Sequence, residues 1–159
     1  MIVDSSALAE QVVEDILRSA FDSAGQRCSA LRILYIQEDV ADRLLEMILG
    51  AMKELSLGNP ILLATDVGPV IDERAQATIT EHIEQMRGLG KKIHQYYLEQ
   101  PGIEQKGGTF VPPTLIEIDT IEELKQEIFG PVLHIIRYKR QALDQVIEEI
   151  NSSGFGLTM

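Results

Sequence analysis

The sequence predicts an α/β fold, with layers of helices on both faces of a largely parallel sheet. The chain has 159 residues, of which 45% are hydrophobic and 25% charged, as is typical of one globular domain with a buried core. Short runs rich in β-branched residues alternate with amphipathic helical patterns from one end of the chain to the other. This alternation predicts βαβ units, in which successive parallel strands are joined by covering helices.

Five segments have the β-rich composition of strands. They are residues 2–4, 32–37, 92–98, 110–117 and 132–138. The last begins directly after Pro131, which cannot continue a helix and so turns the chain into the strand. The stretch "SLGNPILLATDVGPV", residues 56–70, is rich in Gly and Pro and predicts one long loop. Loops of this length are uncommon unless they have a function.

Four segments have the apolar spacing of amphipathic helices. They are residues 7–21, residues 40–55, a segment that follows Asp72 and ends near residues 88–90, and residues 141–150. Ser5 or Ser6 can cap the first, and Asp39 and Asp72 precede the second and third. The last is expected to bury Leu143, Val146, Ile147 and Ile150. The acid-rich stretch "IEELKQE", residues 121–127, predicts a further helix.

The charge and composition of the chain exclude several classes of protein. Its formal charge of −11 argues against a nucleic-acid partner, because binding a phosphate backbone requires clustered Lys and Arg. No apolar run approaches the ~20 residues of a membrane span, and the first turns are acidic where a secretory signal would be basic and apolar. One cysteine cannot form an internal disulfide, as expected in a reducing compartment. We therefore predict a soluble cytoplasmic protein.

The single cysteine lies in "FDSAGQRCSALR", residues 21–32, where Gly25 would let the backbone bend sharply after a long helix. A lone cysteine is more often an inert buried residue, and that alternative stays open on composition alone. Small polar residues surround Cys28, which is unusual for a core segment. The adjacent Arg27 would favour the thiolate, the nucleophilic form of the side chain. Cys28 is therefore a candidate nucleophile.

A second candidate lies in "KQEIFGPVLHIIRY", residues 125–138. The acid-rich helix would run into Phe129 and Gly130, and the chain would then enter a buried strand. Glu127 would lie at a strand mouth, where α/β folds hold their ligands. The alternative is a solvated glutamate at the end of a helix, which is the commoner case for a single glutamate.

Metal and phosphate sites find little support in the sequence. His82, His94 and His134 fall in different predicted elements without the paired spacing of ligands, which favours surface or boundary positions. Neither GxGxxG nor GxxxxGK[ST] occurs, so no phosphate-binding loop is predicted. We expect no metal site.

The two candidate segments resemble the signatures of the aldehyde dehydrogenase superfamily. "FDSAGQRCSALR" is similar to its cysteine motif, a Gly-Gln-x-Cys turn that ends on the nucleophile, and "QEIFGPVL" to its glutamate, phenylalanine and Gly-Pro motif. The two lie about 100 residues apart, in the order that the family requires. "TDVGPVID", "HIEQMRGLGKKIHQ" and "GTFVPPTLIEI" resemble the Δ1-pyrroline-5-carboxylate dehydrogenase branch, most closely the dehydrogenase half of bifunctional proteins of bacterial proline catabolism.

The resemblance implies a role for each candidate residue. Cys28 would attack the aldehyde carbon, hydride would pass from the thiohemiacetal to NAD, and water would hydrolyse the resulting thioester. The backbone N–H of Cys28 would help to stabilise the oxyanion. Glu127 would bind the nicotinamide ribose hydroxyls, and Phe129 would pack beside the ribose and nicotinamide. Arg27 and Ser29 are candidates for contacts near the carboxylate of glutamate γ-semialdehyde.

The resemblance also implies that residues 1–159 are a piece of the cysteine-bearing catalytic domain, without the Rossmann-type cofactor domain, the oxyanion asparagine and the catalytic glutamate of a full family member. We therefore expect no dehydrogenase turnover from the isolated chain. We also expect self-association through its cut ends, and a homo-oligomeric parent protein. Two alternatives remain: another aldehyde dehydrogenase branch, or a non-catalytic interaction module with a degenerate dehydrogenase domain.

Overall fold

The computed structural model describes residues 1–96, 98–99 and 108–155. Its strands are β1 (Ile2–Val3), β2 (Ile33–Gln37), β3 (Ser56–Leu57), β4 (Lys92–Gln95), β5 (Leu98–Glu99), β6 (Thr114–Glu117) and β7 (Val132–Tyr138). Its α-helices are α1 (Ala9–Phe21), α2 (Glu38–Met52), α3 (Glu73–Gly88) and α4 (Leu143–Ser152). Short 3₁₀ turns lie at Ile121–Glu123 and Arg140–Ala142, and Asp22–Gly25 forms a tight turn of non-helical geometry after α1.

Five strands form the main sheet, in the order β1, β2, β7, β6, β4. Neighbouring strands are parallel except for β4 and β6, which pair antiparallel at one edge. β3 and β5 form a separate parallel pair. The predicted α/β fold with a largely parallel sheet is confirmed.

The core lies around β7, which has β2 on one side and β6 on the other. Residues 132–136 are all buried, and successive side chains of a strand point to opposite faces, so both faces of the sheet are covered here. α1 packs against α2, and both contact β7. Each fully buried Leu or Ile contributes about 1.5–3 kcal/mol through the surface it removes from water. Such residues include Leu34, Ile36, Leu115, Ile116 and Leu133.

Several elements are shorter than the sequence predicts. The strand expected over 92–98 ends at Gln95, and β5 belongs to the second sheet. The strand expected over 110–117 starts only at Thr114, since Pro112 and Pro113 lack the N–H groups that a ladder requires. The loop expected over 56–70 begins with β3, which pairs with β5 about 40 residues later.

The helix predicted over 121–127 is wrong. Only Ile121–Glu123 forms a 3₁₀ turn, closed at its start by a reciprocal capping box between Thr120 and Glu123. Leu124 then leaves helical geometry, with φ −95° and ψ 98°. Acidic composition is compatible with a helix start, but here the cap closes a single turn. The segment that carries Glu127 is therefore irregular.

The helix boundaries test the predicted caps. Asp72 does cap α3, because its carboxylate accepts a hydrogen bond from the N–H of Ala75 at 2.7 Å. The caps expected for α1 are wrong, since α1 follows Leu8 without a side-chain cap and the Ser6 hydroxyl donates to Asp4. Asp39 lies within the first turn of α2.

The last helix is less buried than its sequence predicts. In α4, Val146 is buried, whereas Leu143 and Ile147 are 38% and 39% exposed. Among the helices that the structure describes, none is long and apolar enough to cross a membrane.

Candidate active site

The sheet topology brings the two candidate segments together. Residues 22–31, the cysteine turn, lead through Arg32 into β2, and residues 127–131, the glutamate segment, lead into β7. β2 and β7 are parallel neighbours, with Ile33 opposite His134. The two segments therefore meet at the amino ends of these strands. Glu127 does lie at a strand mouth, but at the amino ends of the strands. Ligands of α/β folds usually lie at the carboxyl ends.

Near the start of the cysteine turn, three consecutive residues have a left-handed backbone conformation. Ser23, Ala24 and Gly25 have φ of 56°, 52° and 64°. Such angles are unfavourable for residues with a side chain, so the surroundings must hold this backbone in place. One such contact is the hydrogen bond from the N–H of Leu31 to the carbonyl of Ser19, 3.0 Å long, which ties the end of the turn to α1.

Two glycines allow close packing where the two segments meet. A Cβ on Gly25 would overlap the carbonyl of Gly130 and lie 2.9 Å from the carbonyl of Ala20. A Cβ on Gly130 would in turn overlap the side chain of Ile79 on α3. Gly25 is thus required by close backbone approach as well as by its positive φ, and Gly130 by the packing of the Ile79 side chain.

Cys28 and Glu127 face the same cleft. The Cys28 thiol is free and exposed. Cys28, Ser29 and Glu127 all line a cleft of about 680 Å³. The backbone N–H of Cys28 donates to no acceptor among the described residues, so it is available to an oxygen atom of a ligand. The structure thus places a nucleophile type, an unpaired donor and a carboxylate around one opening.

Arg27 points away from this cleft. Its guanidinium donates to the carbonyl of Arg18 at 2.8 Å and to that of Ser19 at 3.4 Å, at the end of α1. Both carbonyls also accept from a backbone N–H, that of Asp22 at Arg18 and that of Leu31 at Ser19, so the guanidinium adds a second bond to each. In this arrangement Arg27 holds the cysteine turn against α1 rather than lining the cleft.

Arg32 is the residue of this site that sequence reasoning missed. Its Nε donates to Oε1 of Glu127 at 3.0 Å, and its guanidinium lies 4.7 Å from the ring centroid of Phe129. Phe129 is 45% exposed beside it. No local pattern assigns Arg32 this position, because its partners lie about 95 residues along the chain. The sequence feature that could have identified Arg32 is its position at the start of a predicted strand, four residues after the cysteine.

Two histidines are buried beside the site, contrary to the predicted surface or boundary positions. His82 on α3 and His134 on β7 are both buried, with their Nε2 atoms 2.9 Å apart. The Nδ1 of His134 lies 3.2 Å from the carbonyl of Arg32. Burial, helped by the neighbouring His82, lowers the pKa of His134 to about 3, and burial also lowers the pKa of His82. Both rings are therefore neutral at pH 7.

The third histidine lies apart from this pair. His94 is half-buried on the edge strand β4, with its Nε2 3.1 Å from Glu117. Within the described residues, no group of three or more His, Cys, Asp or Glu side chains is arranged to hold a metal ion.

The chain matches the aldehyde dehydrogenase family model over residues 1–159. It is 59% identical over 161 residues to the bifunctional protein PutA of Klebsiella aerogenes and 57% identical to that of Escherichia coli, covering the whole chain and 12% of each relative. It is also 35% identical over 159 residues to the 1-pyrroline-5-carboxylate dehydrogenase of Geobacillus kaustophilus, covering 99% of the chain and 30% of that protein.

Solved structures agree with these matches. A mutant of Bradyrhizobium japonicum proline utilization A (PutA) superposes with a TM-score of 0.89 at 44% identity, covering 99% of the chain and 15% of that protein. A methylmalonate-semialdehyde dehydrogenase from Oceanimonas doudoroffii superposes with a TM-score of 0.83 at 30% identity, covering 95% of the chain and 31% of that protein. The chain thus spans between an eighth and a third of the length of these relatives.

Proposed function

Because the chain belongs to the aldehyde dehydrogenase family, we propose that it is part of the cysteine-bearing catalytic domain of an NAD-dependent, cytoplasmic dehydrogenase. The proposed reaction is the oxidation of L-glutamate γ-semialdehyde, the open form of Δ1-pyrroline-5-carboxylate, to L-glutamate. The observation that carries the proposal is the cleft that Cys28 and Glu127 share. Its substrate class is supported by the 54–59% identity to PutA proteins.

Cys28 is the proposed nucleophile. Its sulfur forms a bond to the aldehyde carbon, and the carbonyl electron pair moves to oxygen to give a thiohemiacetal. The unpaired N–H of Cys28 is the proposed donor to that oxyanion, and a donor of this kind contributes on the order of 3 kcal/mol. Loss of hydride from the same carbon leaves a thioester, which water hydrolyses to the carboxylate and the free thiol.

The residues around Glu127 fit a nicotinamide ribose. Glu127 Oε1 is held by Arg32, while Oε2 has no hydrogen-bond partner among the described residues and can accept from a ribose hydroxyl. The ring of Phe129 lies against the Arg32 guanidinium that holds Glu127, and its exposed part can pack on an apolar face of a ligand. NAD, when bound, supplies the hydride acceptor; the chain supplies its orientation.

The position of Ser29 supports a substrate contact better than that of Arg27. Ser29 is exposed and lines the cleft next to Cys28. Arg27 can reach a substrate carboxylate only by giving up its bonds to the end of α1. We therefore propose Ser29 as the residue nearer the substrate and Arg27 as support for the turn.

A grafted protein tests the function directly. In it, the 159 residues replace the matched segment of Escherichia coli PutA, and NADH formation is followed with Δ1-pyrroline-5-carboxylate, with propanal as an aldehyde that lacks the carboxylate. We expect activity with the first substrate. Cys28→Ser should lower kcat by about a thousandfold or more.

Ser29→Ala is the matched control in the grafted protein. It removes a hydroxyl from the next position and should mainly raise KM for the carboxylated substrate, with kcat little changed. Full activity of Cys28→Ser would contradict the nucleophile. A higher kcat/KM for propanal than for Δ1-pyrroline-5-carboxylate would point to another aldehyde dehydrogenase branch.

A further inference from the structure

Arg32 joins the two halves of the site through one guanidinium. On the cysteine turn it donates from Nη1 to the carbonyl of Gly25 at 2.5 Å and from Nη2 to the carbonyl of Arg27 at 3.1 Å. On the glutamate segment it donates from Nη1 to the carbonyl of Gly130 at 3.2 Å and from Nε to Glu127. Each segment therefore contributes two acceptors to the same planar group.

An arginine is needed for this set of contacts. The guanidinium has five N–H donors in a fixed plane, whereas the lysine ammonium has three donors on a flexible stem. The face of the Arg32 guanidinium is also used, since it lies over the ring of Phe129. The Arg32 side chain is only 15% exposed, so water has limited access to the guanidinium and to the bonds that it makes.

The acceptors of Arg32 fall at the positions that the chemistry uses. The carbonyl of Arg27 belongs to the peptide bond whose nitrogen is the N–H of Cys28, so bonding that oxygen fixes the plane of the unpaired donor. The bond from Arg32 to Oε1 of Glu127 fixes the carboxylate and leaves its Oε2 free to accept a hydrogen bond from a ligand. Both the donor beside the nucleophile and the carboxylate are thus oriented from one point.

We propose that Arg32 is a positioning residue that sets the cysteine turn and the glutamate segment relative to each other. The proposal deepens the function stated above and rests on it for the roles of Cys28 and Glu127. Removal of Arg32 is expected to disturb both halves of the site at once, through the bonds that its guanidinium makes to the two segments.

Amide hydrogen exchange on the chain itself tests the connection. In Arg32→Met, the N–H groups of Gln26 and Ala30 in the cysteine turn and of Gly130 in the glutamate segment should exchange at least about tenfold faster. Core amides of α2 should keep their rates. Arg18→Met is the matched control, because it removes an arginine whose side chain is 72% exposed on α1. Unchanged exchange in either segment of Arg32→Met would overturn the proposal.

A milder variant decides the question if Arg32→Met fails to fold. Glu127→Ala removes one acceptor of Arg32 and leaves the cysteine turn untouched in sequence. If Arg32 couples the segments, exchange at Gln26 and Ala30, in the other segment, should rise severalfold. Acceleration confined to the glutamate segment would overturn the proposal.

A double-mutant cycle in the grafted protein separates positioning from general stability. Arg32→Met and Glu127→Ala should each raise KM for NAD about tenfold, and Arg32→Met should also lower kcat because the donor beside Cys28 moves. The double variant should raise KM for NAD by much less than the hundredfold that independent effects would give. Additive effects on KM would overturn the proposal. Arg32→Lys should recover part of the KM effect, because the charge beside Glu127 is kept.

The exchange measurements and the kinetics of the grafted protein distinguish failure of the proposed function from failure of the positioning role. If the unmodified grafted protein forms no NADH, the proposed function is contradicted, while the exchange rates of the chain still decide whether Arg32 couples the two segments. If NADH forms and the cycle is additive, the function stands and the positioning role does not.

Discussion

The junction between the cysteine turn and the glutamate segment contrasts with the tip of the long loop, residues 61–63. At the junction, Gly25 is buried against the backbone of Gly130, Gly130 is buried against Ile79, and Arg32 bonds both segments. At the tip, three large apolar side chains lie in solvent, with Leu63 fully exposed. The polar, glycine-containing segments are therefore the tightly packed ones, and the apolar run "ILL" is not.

This difference shows that composition is a poor guide to where the chain is intolerant of change. Buried packing at the junction involves backbone carbonyls, which cannot move without shifting two strands. The side chains of the loop tip are exposed, whereas the residue after the loop is held, since Gln26 Oε1 accepts from the N–H of Ile71 at 2.9 Å. Substitutions should therefore be costly at the junction and nearly neutral at the tip.

The largest effect is expected for Gly25→Ala. The new Cβ would overlap the carbonyl of Gly130 in a residue whose φ is +64°, so the two segments must separate. We expect the free energy of unfolding to fall by about 3 kcal/mol or more. Urea unfolding followed by circular dichroism measures it.

Two other glycines provide matched controls for Gly25→Ala. Gly50 lies in α2 with nothing within 4 Å of a built Cβ, so Gly50→Ala should stabilise the chain by about 0.5–1 kcal/mol. Gly90 has φ +75° and open space, so Gly90→Ala reports the backbone strain alone, about 1 kcal/mol. A loss at Gly25 no larger than that at Gly90 would mean that the junction is not tightly packed.

An intermediate effect is expected on acidification, through the histidine pair under the junction. The pKa values of His134 and His82 are lowered in the folded chain, so the unfolded chain binds more protons below its ordinary pKa of about 6.5. Stability that is present above this pH is therefore lost as the pH falls toward 3. Between pH 7 and 5.5 we expect a loss of about 1 kcal/mol per histidine that stays neutral.

Urea unfolding at several pH values above 5 isolates the histidine effect. Burial raises the pKa of Glu117, but hydrogen bonds from His94 and Lys92 more than offset this and hold it below its usual 4.5, outside this window. His134→Leu should reduce the slope of stability against pH by at least half. Ile136→Val, on the same strand, is the control, because it changes a buried side chain without removing a titratable group, and it should leave the slope unchanged. An equal loss of slope in both variants would contradict the assignment to the buried pair.

The smallest effect is expected at the loop tip. Leu63→Ala removes apolar atoms that are already in solvent, so the free energy of unfolding should change by less than about 0.5 kcal/mol. Leu34→Ala, the same change at a fully buried position of β2, should cost about 2–5 kcal/mol. A comparable cost at Leu63 would show that the tip is packed in solution.

The sequence was informative where function depends on local spacing. The motifs around Cys28 and Glu127 could be recognised from the order of their amino acids. The alternation of strands and helices predicted the parallel sheet that brings the two motifs together. Asp72 as a cap needed only its neighbours along the chain. In each case the physical cause lies within a few residues or in a topology with few alternatives.

The rest depends on partners that are distant in sequence. The position of Arg32 depends on its bond to Glu127 in the segment before β7. His82 meets His134 because the fold brings α3 next to β7. The helix expected over 121–127 failed because Thr120 and Glu123 close a single turn, a choice that acidic composition does not reveal. Nor does the sequence say which end of the sheet holds the site, since that follows from which strands are neighbours.

The pairing of β2 with β7 also has a kinetic consequence. It joins segments about 100 residues apart, and contacts of such long range are closed late because their loop entropy must be overcome first. The cleft between Cys28 and Glu127 exists only once this pairing has formed. A folding intermediate with intact α1 and α2 but without this pairing would therefore hold the thiol without its carboxylate.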